Sequence, residues 1–159
     1  MTTTSERWQP QTPRDAEVMR VLQAIRAFSD AMDRMHSGMK GDMEMNSTDL
    51  AALRMLIMRE QRGQDVSPHD VARHLRISTA STTKLLDRLS ESGHVQRQAH
   101  PRDKRSRIVV LTDVSRREFF KNFGATLAAM RGVAENYRED ELQVIARFMS
   151  EVSAAIDPE

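Results

Sequence analysis

Seven consecutive residues, Ser78, Thr79, Ala80, Ser81, Thr82, Thr83 and Lys84, gather hydroxyls, methyls and one ammonium in a short stretch. Hydroxyls bond base edges or phosphates, methyls touch thymine, and lysine reaches guanine O6 and N7, so the run suits the reading of a nucleic-acid groove. Three more cations, Arg102, Lys104 and Arg105, follow in the turn-forming stretch His100–Arg105 (HPRDKR), placed for phosphate or minor-groove contact. Arg88 adds a further cation between the two groups.

Other chemistries fit less well. With no cysteine there is no disulfide, thiolate metal site or sulfur nucleophile. Among five histidines, His69 and His74 stand five apart, which does not stack two ligands on one helix face, so no metal is expected. Ser81, Asp87 and His94 make a triad in composition only, without a glycine elbow around the serine. The chain is therefore not expected to be an enzyme, and no cofactor is expected.

Length and charge set the frame for these residues. A chain of 159 residues makes one compact domain or two small lobes. Net charge is only +1, yet residues 62–107 hold ten basic against five acidic side chains, so a basic middle lies between mildly acidic ends. That asymmetry points to a polyanionic partner for the middle alone. No stretch approaches the roughly 20 apolar residues of a membrane span, and Thr2–Pro13 lacks a signal peptide's apolar core, so a cytoplasmic location is expected.

The elements follow from periodicity. Residues 1–13 are polar with two prolines and read as a flexible or partner-draped arm, with Trp8 as the residue that would anchor it. Apolar residues at 18, 22, 25, 28, 32, 35 and 39 predict a long helix over Arg14–Met39, broken by the segment Lys40–Met45. Asn46, with Asp49 three residues on, caps a second helix that ends near Gly63. Ser67-Pro68 with Asp70 starts a short helix to Leu75, and Ser78 caps another to about Glu91, closed by Ser92-Gly93. The period then changes to that of a hairpin, His94–Ala99 and Ser106–Leu111, before two last helices from Thr112 and from about Asp140.

A short helix, a three-residue turn, a second helix and a basic hairpin in that order make a winged helix-turn-helix. On a helical wheel Thr82, Leu85, Leu86 and Leu89 fall together, which leaves Ala80, Ser81, Thr83, Lys84 and Asp87 outward. An ordinary amphipathic helix would show the same split, but the adjoining basic hairpin favours DNA reading. Expected contacts are Ser78, Thr79, Ala80, Ser81, Thr83, Lys84, Arg88, Arg102, Lys104 and Arg105. Asp103 is misplaced beside phosphate and is expected to pair with an arginine such as Arg88, while Asp87 holds Arg105 and fixes wing to helix.

The run SPHDVARHLRISTASTTKLLDRLSESGHVQRQAHPRDKRSRIVVLT (Ser67–Thr112) resembles the MarR family of bacterial transcription regulators, through the pattern STxxLLDRLxxxGxVxR and the wing triplet Asp103-Lys104-Arg105. The resemblance implies a mainly α homodimeric repressor with a two-stranded β wing, whose affinity for a pseudo-palindromic double-stranded operator is altered by a small molecule or a stress signal. It also implies a helical dimerisation lobe from 14–45 and 112–159 around a DNA-binding domain at 46–111. Two departures stand out: Arg76 replaces a common glycine, and the last helix lacks a Ser or Thr cap, leaving Asp140 as the nearest candidate. Met32, Met35, Met39, Met43 and Met45 either pack a core or line an adaptable pocket for a small aromatic or amphipathic effector, near where the resemblance implies inducers bind. A winged helix that docks protein instead of DNA is the competing reading, and three exposed wing cations argue against it.

Overall fold

A computed structural model describes residues 7–158. It contains six helices and a two-stranded antiparallel sheet among the described residues. Residues 1–6 of the expected arm lie outside them; Trp8 is 49% exposed and so does not anchor the remainder within one chain. The chain divides into two compact units, 1–51 and 52–159.

The first unit is dominated by α1 (Pro13–Asp42). Proline at the first helical position and a reciprocal box start it: Thr12 Oγ1 accepts the Asp15 N–H, and the Asp15 carboxylate accepts the Thr12 N–H, both at 3.0 Å. The expected break at Lys40 comes later, after Asp42. The helix ends when Glu44 turns left-handed (φ 53°) and Met43 and Met45 donate back to the carbonyls of Met39 and Lys40. Neither Gly38 nor Gly41 stops it. At the start of α2 (Ser47–Gln61), Asn46 Oδ1 accepts the Asp49 N–H at 2.8 Å, as its spacing predicts.

The second unit holds the rest of α2, α3 (Pro68–Leu75), α4 (Thr79–Glu91), β1 (Val95–Ala99), β2 (Arg107–Leu111), α5 (Asp113–Ala134) and α6 (Glu139–Ile156). Its core is Leu53, Leu56, Val71, Leu85, Leu86, Leu89, Val95, Ile108 and Phe119, all buried. The strands pair in register from Val95 opposite Leu111 to Ala99 opposite Arg107. On the other edge of β2, Val109 donates to the Val66 carbonyl at 2.7 Å, so a residue just before α3 fastens the hairpin to the helical layer. Arg116 of α5 grips the Glu60 carboxylate at the end of α2 and Asp113 beside it.

The last helix starts differently from expectation. Arg138 is the N-cap, its backbone N–H donating to Glu141 Oε1 at 2.9 Å, and Asp140 lies inside the first turn. No residue of α6 is buried; Val144, Ile145 and Ile156 are exposed, as are Phe120, Met130 and Val133 of α5 and Val18, Leu22 and Phe28 of α1.

Candidate nucleic-acid interface

The approach to the site begins at Ser67. Its hydroxyl accepts the Asp70 N–H at 3.1 Å and its own N–H donates to the Asp70 carboxylate at 2.9 Å, which closes the first turn of α3. That backbone bond, helped by Arg59 and Arg73, holds the Asp70 carboxyl below its usual range. At the far end of α3, Arg76 adopts a left-handed conformation (φ 54°, ψ 45°), and Ile77 donates back to the Ala72 carbonyl at 3.1 Å. This backbone state usually falls to glycine, and a side chain there costs about 1 kcal/mol.

The turn delivers Ser78 as N-cap of α4, its Oγ accepting the Ser81 N–H at 3.1 Å and donating to Ser81 Oγ at 2.9 Å. Thr82 faces inward and is 2% exposed, beside buried Leu85, Leu86 and Leu89, as the wheel predicts. Thr79, Ala80, Ser81, Thr83 and Lys84 are exposed. The hydroxyls are not equivalent. Ser81 Oγ accepts from Ser78 and keeps its own proton for a partner outside, whereas Thr83 Oγ1 donates to the Thr79 carbonyl at 3.0 Å. Ser78 therefore shapes the helix start, Ser81 presents a donor, and Thr83 keeps only acceptor capacity and a methyl.

The wing contacts differ from those the sequence suggested. Asp87 pairs with Arg97 of β1, not with Arg105: Arg97 Nη2 lies 2.8 Å from Asp87 Oδ1 and 3.3 Å from the Thr83 carbonyl. Geometry decides it, since Arg97 sits on the strand beside α4 while Arg105 lies in the turn. The Asp103 carboxylate accepts instead the Arg105 N–H and the Ser106 hydroxyl, each at 3.1 Å. A short acidic side chain at a turn is best placed for its own backbone two residues on.

His100 completes the wing tip. Its Nδ1 accepts the N–H groups of Arg102 and Asp103 at 3.0 and 3.1 Å, and its Nε2 lies 3.5 Å from Asp65. Arg102, Lys104 and Arg105 are exposed around this tied turn, and Arg88 is exposed on α4. Arg97 and His100 are absent from the sequence-derived set of site residues. Arg97 was legible as the last arginine of STxxLLDRLxxxGxVxR, ten residues after the pattern's aspartate; nothing in the pattern marked His100.

The remaining candidates fall apart spatially or sit elsewhere. His94 bonds Ser92 Oγ through Nδ1 at 2.7 Å and Glu118 through Nε2 at 3.0 Å, so it forms no triad with Ser81 and Asp87. Among the described residues no three His, Cys, Asp or Glu side chains cluster as metal ligands, and no helix is long and apolar enough to cross a membrane. Met39 and Met43 are buried, and Met32, Met35 and Met45 half-buried.

Residues 44–106 match the profile described as the MarR family. Two curated relatives from Bacillus subtilis (strain 168) align with the chain. The uncharacterized HTH-type transcriptional regulator YcgE is 29% identical over 83 residues, covering 52% of this chain and 54% of that protein. The HTH-type transcriptional repressor YetL is 24% identical over 98 residues, covering 62% and 59%. The chain thus spans little more than half the length of these relatives. Two solved structures of MepR mutants from S. aureus share the fold. One, from a multidrug-resistant clinical isolate, has a TM-score of 0.67 at 14% identity over 86% of this chain and 97% of that one. The other, bound to oligodeoxyribonucleotide, has a TM-score of 0.54 at 16% identity over 86% and 98%.

Proposed function

We propose, from the match of residues 44–106 to the MarR family and the winged helix-turn-helix around them, that the chain is a sequence-specific regulator of transcription that acts as a repressor on double-stranded DNA. The observation that carries this reading is the exposed, small and polar first half of α4, tied through Asp87 and Arg97 to a wing tipped with three cations. Small side chains let the helix sit deep in a major groove, while the wing meets backbone or minor groove alongside.

The roles divide by chemistry. Thr79, Ala80, Ser81, Thr83 and Lys84 read base edges: Ser81 as donor, Thr83 through its methyl and Lys84 toward guanine. Ser78 orients the helix start, whose converging N–H groups favour a phosphate nearby. Arg88, Arg102, Lys104 and Arg105 hold phosphate, and Asp87 and Asp103 set the geometry of helix and wing. YetL's description as a repressor supports the sign of regulation, and the oligodeoxyribonucleotide-bound MepR mutant supports the partner.

Val18, Leu22 and Phe28 of α1, Phe120, Met130 and Val133 of α5, and Val144, Ile145 and Ile156 of α6 are exposed among the described residues, which supports pairing of segments 14–45 and 112–159 with a second copy by two-fold symmetry. Such a dimer works in the cytoplasm on a pseudo-palindromic operator, and the methionines from Met32 to Met45 receive a small aromatic or amphipathic effector.

Selection of bound sequences from random duplex DNA by the full chain tests this function. Enrichment of a palindrome with half-sites about 10 to 11 base pairs apart is expected. Binding that enriches no sequence, or no binding at low salt, overturns it.

A further inference from the structure

The end of α6 returns to the helix-turn-helix at one point. Asp157 lies against the guanidinium of Arg76, the left-handed residue between α3 and α4, although 81 positions separate them. This pair forms one wall of a cavity of about 800 Å³ lined by Arg59, Asp70, Arg73, His74, Arg76 and Asp157. We propose that this cavity binds a compact polycarboxylate, and that Asp157 is an internal carboxylate which the ligand displaces from Arg76.

Charge is the first reason. Three guanidiniums and an imidazole meet only two carboxylates, and the Asp70 carboxylate is already engaged by the Ser67 N–H at 2.9 Å. Asp70 also lies within electrostatic reach of Arg59 and Arg73 and Asp157 answers Arg76, so three guanidiniums against two carboxylates leave the lining with an excess of positive charge. Guanidinium forks match carboxylate oxygens in pairs, so a small molecule carrying two or three carboxylates satisfies what the two aspartates leave over.

Size and polarity narrow the class. The volume lies in the range of small-molecule sites and far exceeds one aspartate side chain. Every lining side chain is ionisable, which suits a ligand that is polar throughout better than an aromatic acid. The lock is also weak: the Arg76 and Asp157 side chains are 65% and 63% exposed, and water screens such pairs. A ligand with several carboxylates can open it. Because Arg76 stands two residues before the cap of α4, occupancy of the site reaches the start of that helix.

Citrate titrated calorimetrically into the 159-residue chain without DNA, at fixed ionic strength, tests the site. Saturable binding is expected, with Asp157→Asn about three- to fivefold tighter because the internal competitor is gone. Arg76→Ala and Arg73→Ala should each lose about tenfold or more, and Arg131→Ala on α5 should be unchanged. Thermal melts without citrate identify any variant that fails to fold, and Arg73→Ala carries the test if Arg76→Ala does. Absence of saturation, equal competition by chloride or inorganic phosphate at the same ionic strength, or weaker binding by Asp157→Asn overturns the proposal. So does loss of DNA salt dependence in Arg76→Ala with no citrate binding by the parent chain, which would assign these cations to the DNA backbone. Failure with citrate leaves the DNA reading standing, since no DNA is present in the titration.

Discussion

Arg97 on the first wing strand and Asp87 on the outward face of α4 are joined at 2.8 Å, and the same guanidinium reaches the Thr83 carbonyl at 3.3 Å. One side chain thereby ties the wing to the half of α4 that carries the proposed reading residues. Both partners are partly exposed, at 35% and 52%, so the pair adds little to folding and acts chiefly on orientation. Arg97→Ala and Asp87→Ala should each lower melting stability by less than about 1 kcal/mol. Operator affinity should fall in both, and the double variant should cost less than the two losses added, with a coupling of about 0.5 to 1 kcal/mol. Strict additivity in operator binding would show that the pair does not position the wing.

Reading and holding should separate at two cations. Lys84 is exposed on α4, and Arg105 is exposed in the tied wing turn. Lys84→Ala should cost about 1 to 3 kcal/mol on the selected operator and relax one base-pair position in each half-site. Arg105→Ala should weaken specific and scrambled DNA alike, and reduce the log-log salt slope by about one for each phosphate that is no longer neutralised. Since Asp87 is held by Arg97, removal of the Arg105 side chain should leave sequence preference intact. Affinities of both variants on both DNAs across a salt series check the pair of claims.

The left-handed turn makes a prediction independent of DNA. Arg76→Gly should be more stable than Arg76→Ala by about 1 kcal/mol, because neither can pair with Asp157 and only glycine adopts φ 54° without a steric cost. Urea denaturation of the two variants measures the difference. Equal midpoints would mean that the turn relaxes out of the left-handed region.

The box at the start of α3 should be sensitive to acid. Asp70→Ala should destabilise the protein by about 1 kcal/mol near neutral pH. The Asp70 pKa is lowered in the folded state, first by the Ser67 N–H, so its contribution is present above the unfolded value near about 4 and disappears as pH falls through the folded value. The gap in melting temperature between parent and variant should therefore close as pH is taken from about 6 toward about 3. A gap that widens on acidification would contradict the assignment.

Assembly can be tested on α6. Ile145 is 42% exposed on a helix without one buried residue. Ile145→Asp should leave helicity intact while shifting the chain from dimer to monomer at micromolar concentration, as sedimentation would read. A parent chain that is a folded monomer at that concentration would rule out the dimer.

Much of the architecture is local chemistry and could be read from the sequence. Thr112, Ser67, Ser78 and Asn46 cap the helices they precede, and the β-branched run up to Leu111 is the second wing strand. The buried face of α4 was equally legible, because helical spacing alone brings Thr82, Leu85, Leu86 and Leu89 together. These features need only bonds and contacts within a few residues, so a single chain of letters contains them.

Pairings between elements were not legible in this way. Asp87 had several arginines within plausible reach, and the choice of Arg97 over Arg105 depended on how the hairpin packs beside α4. The same packing brings Asp65 to His100 and aligns Val66 with Val109. Asp157 meets Arg76 across 81 positions, a contact that no local spacing records. Charge complementarity nominates partners, but the distances that select among them are set by the buried core, and those exist only once the chain has folded.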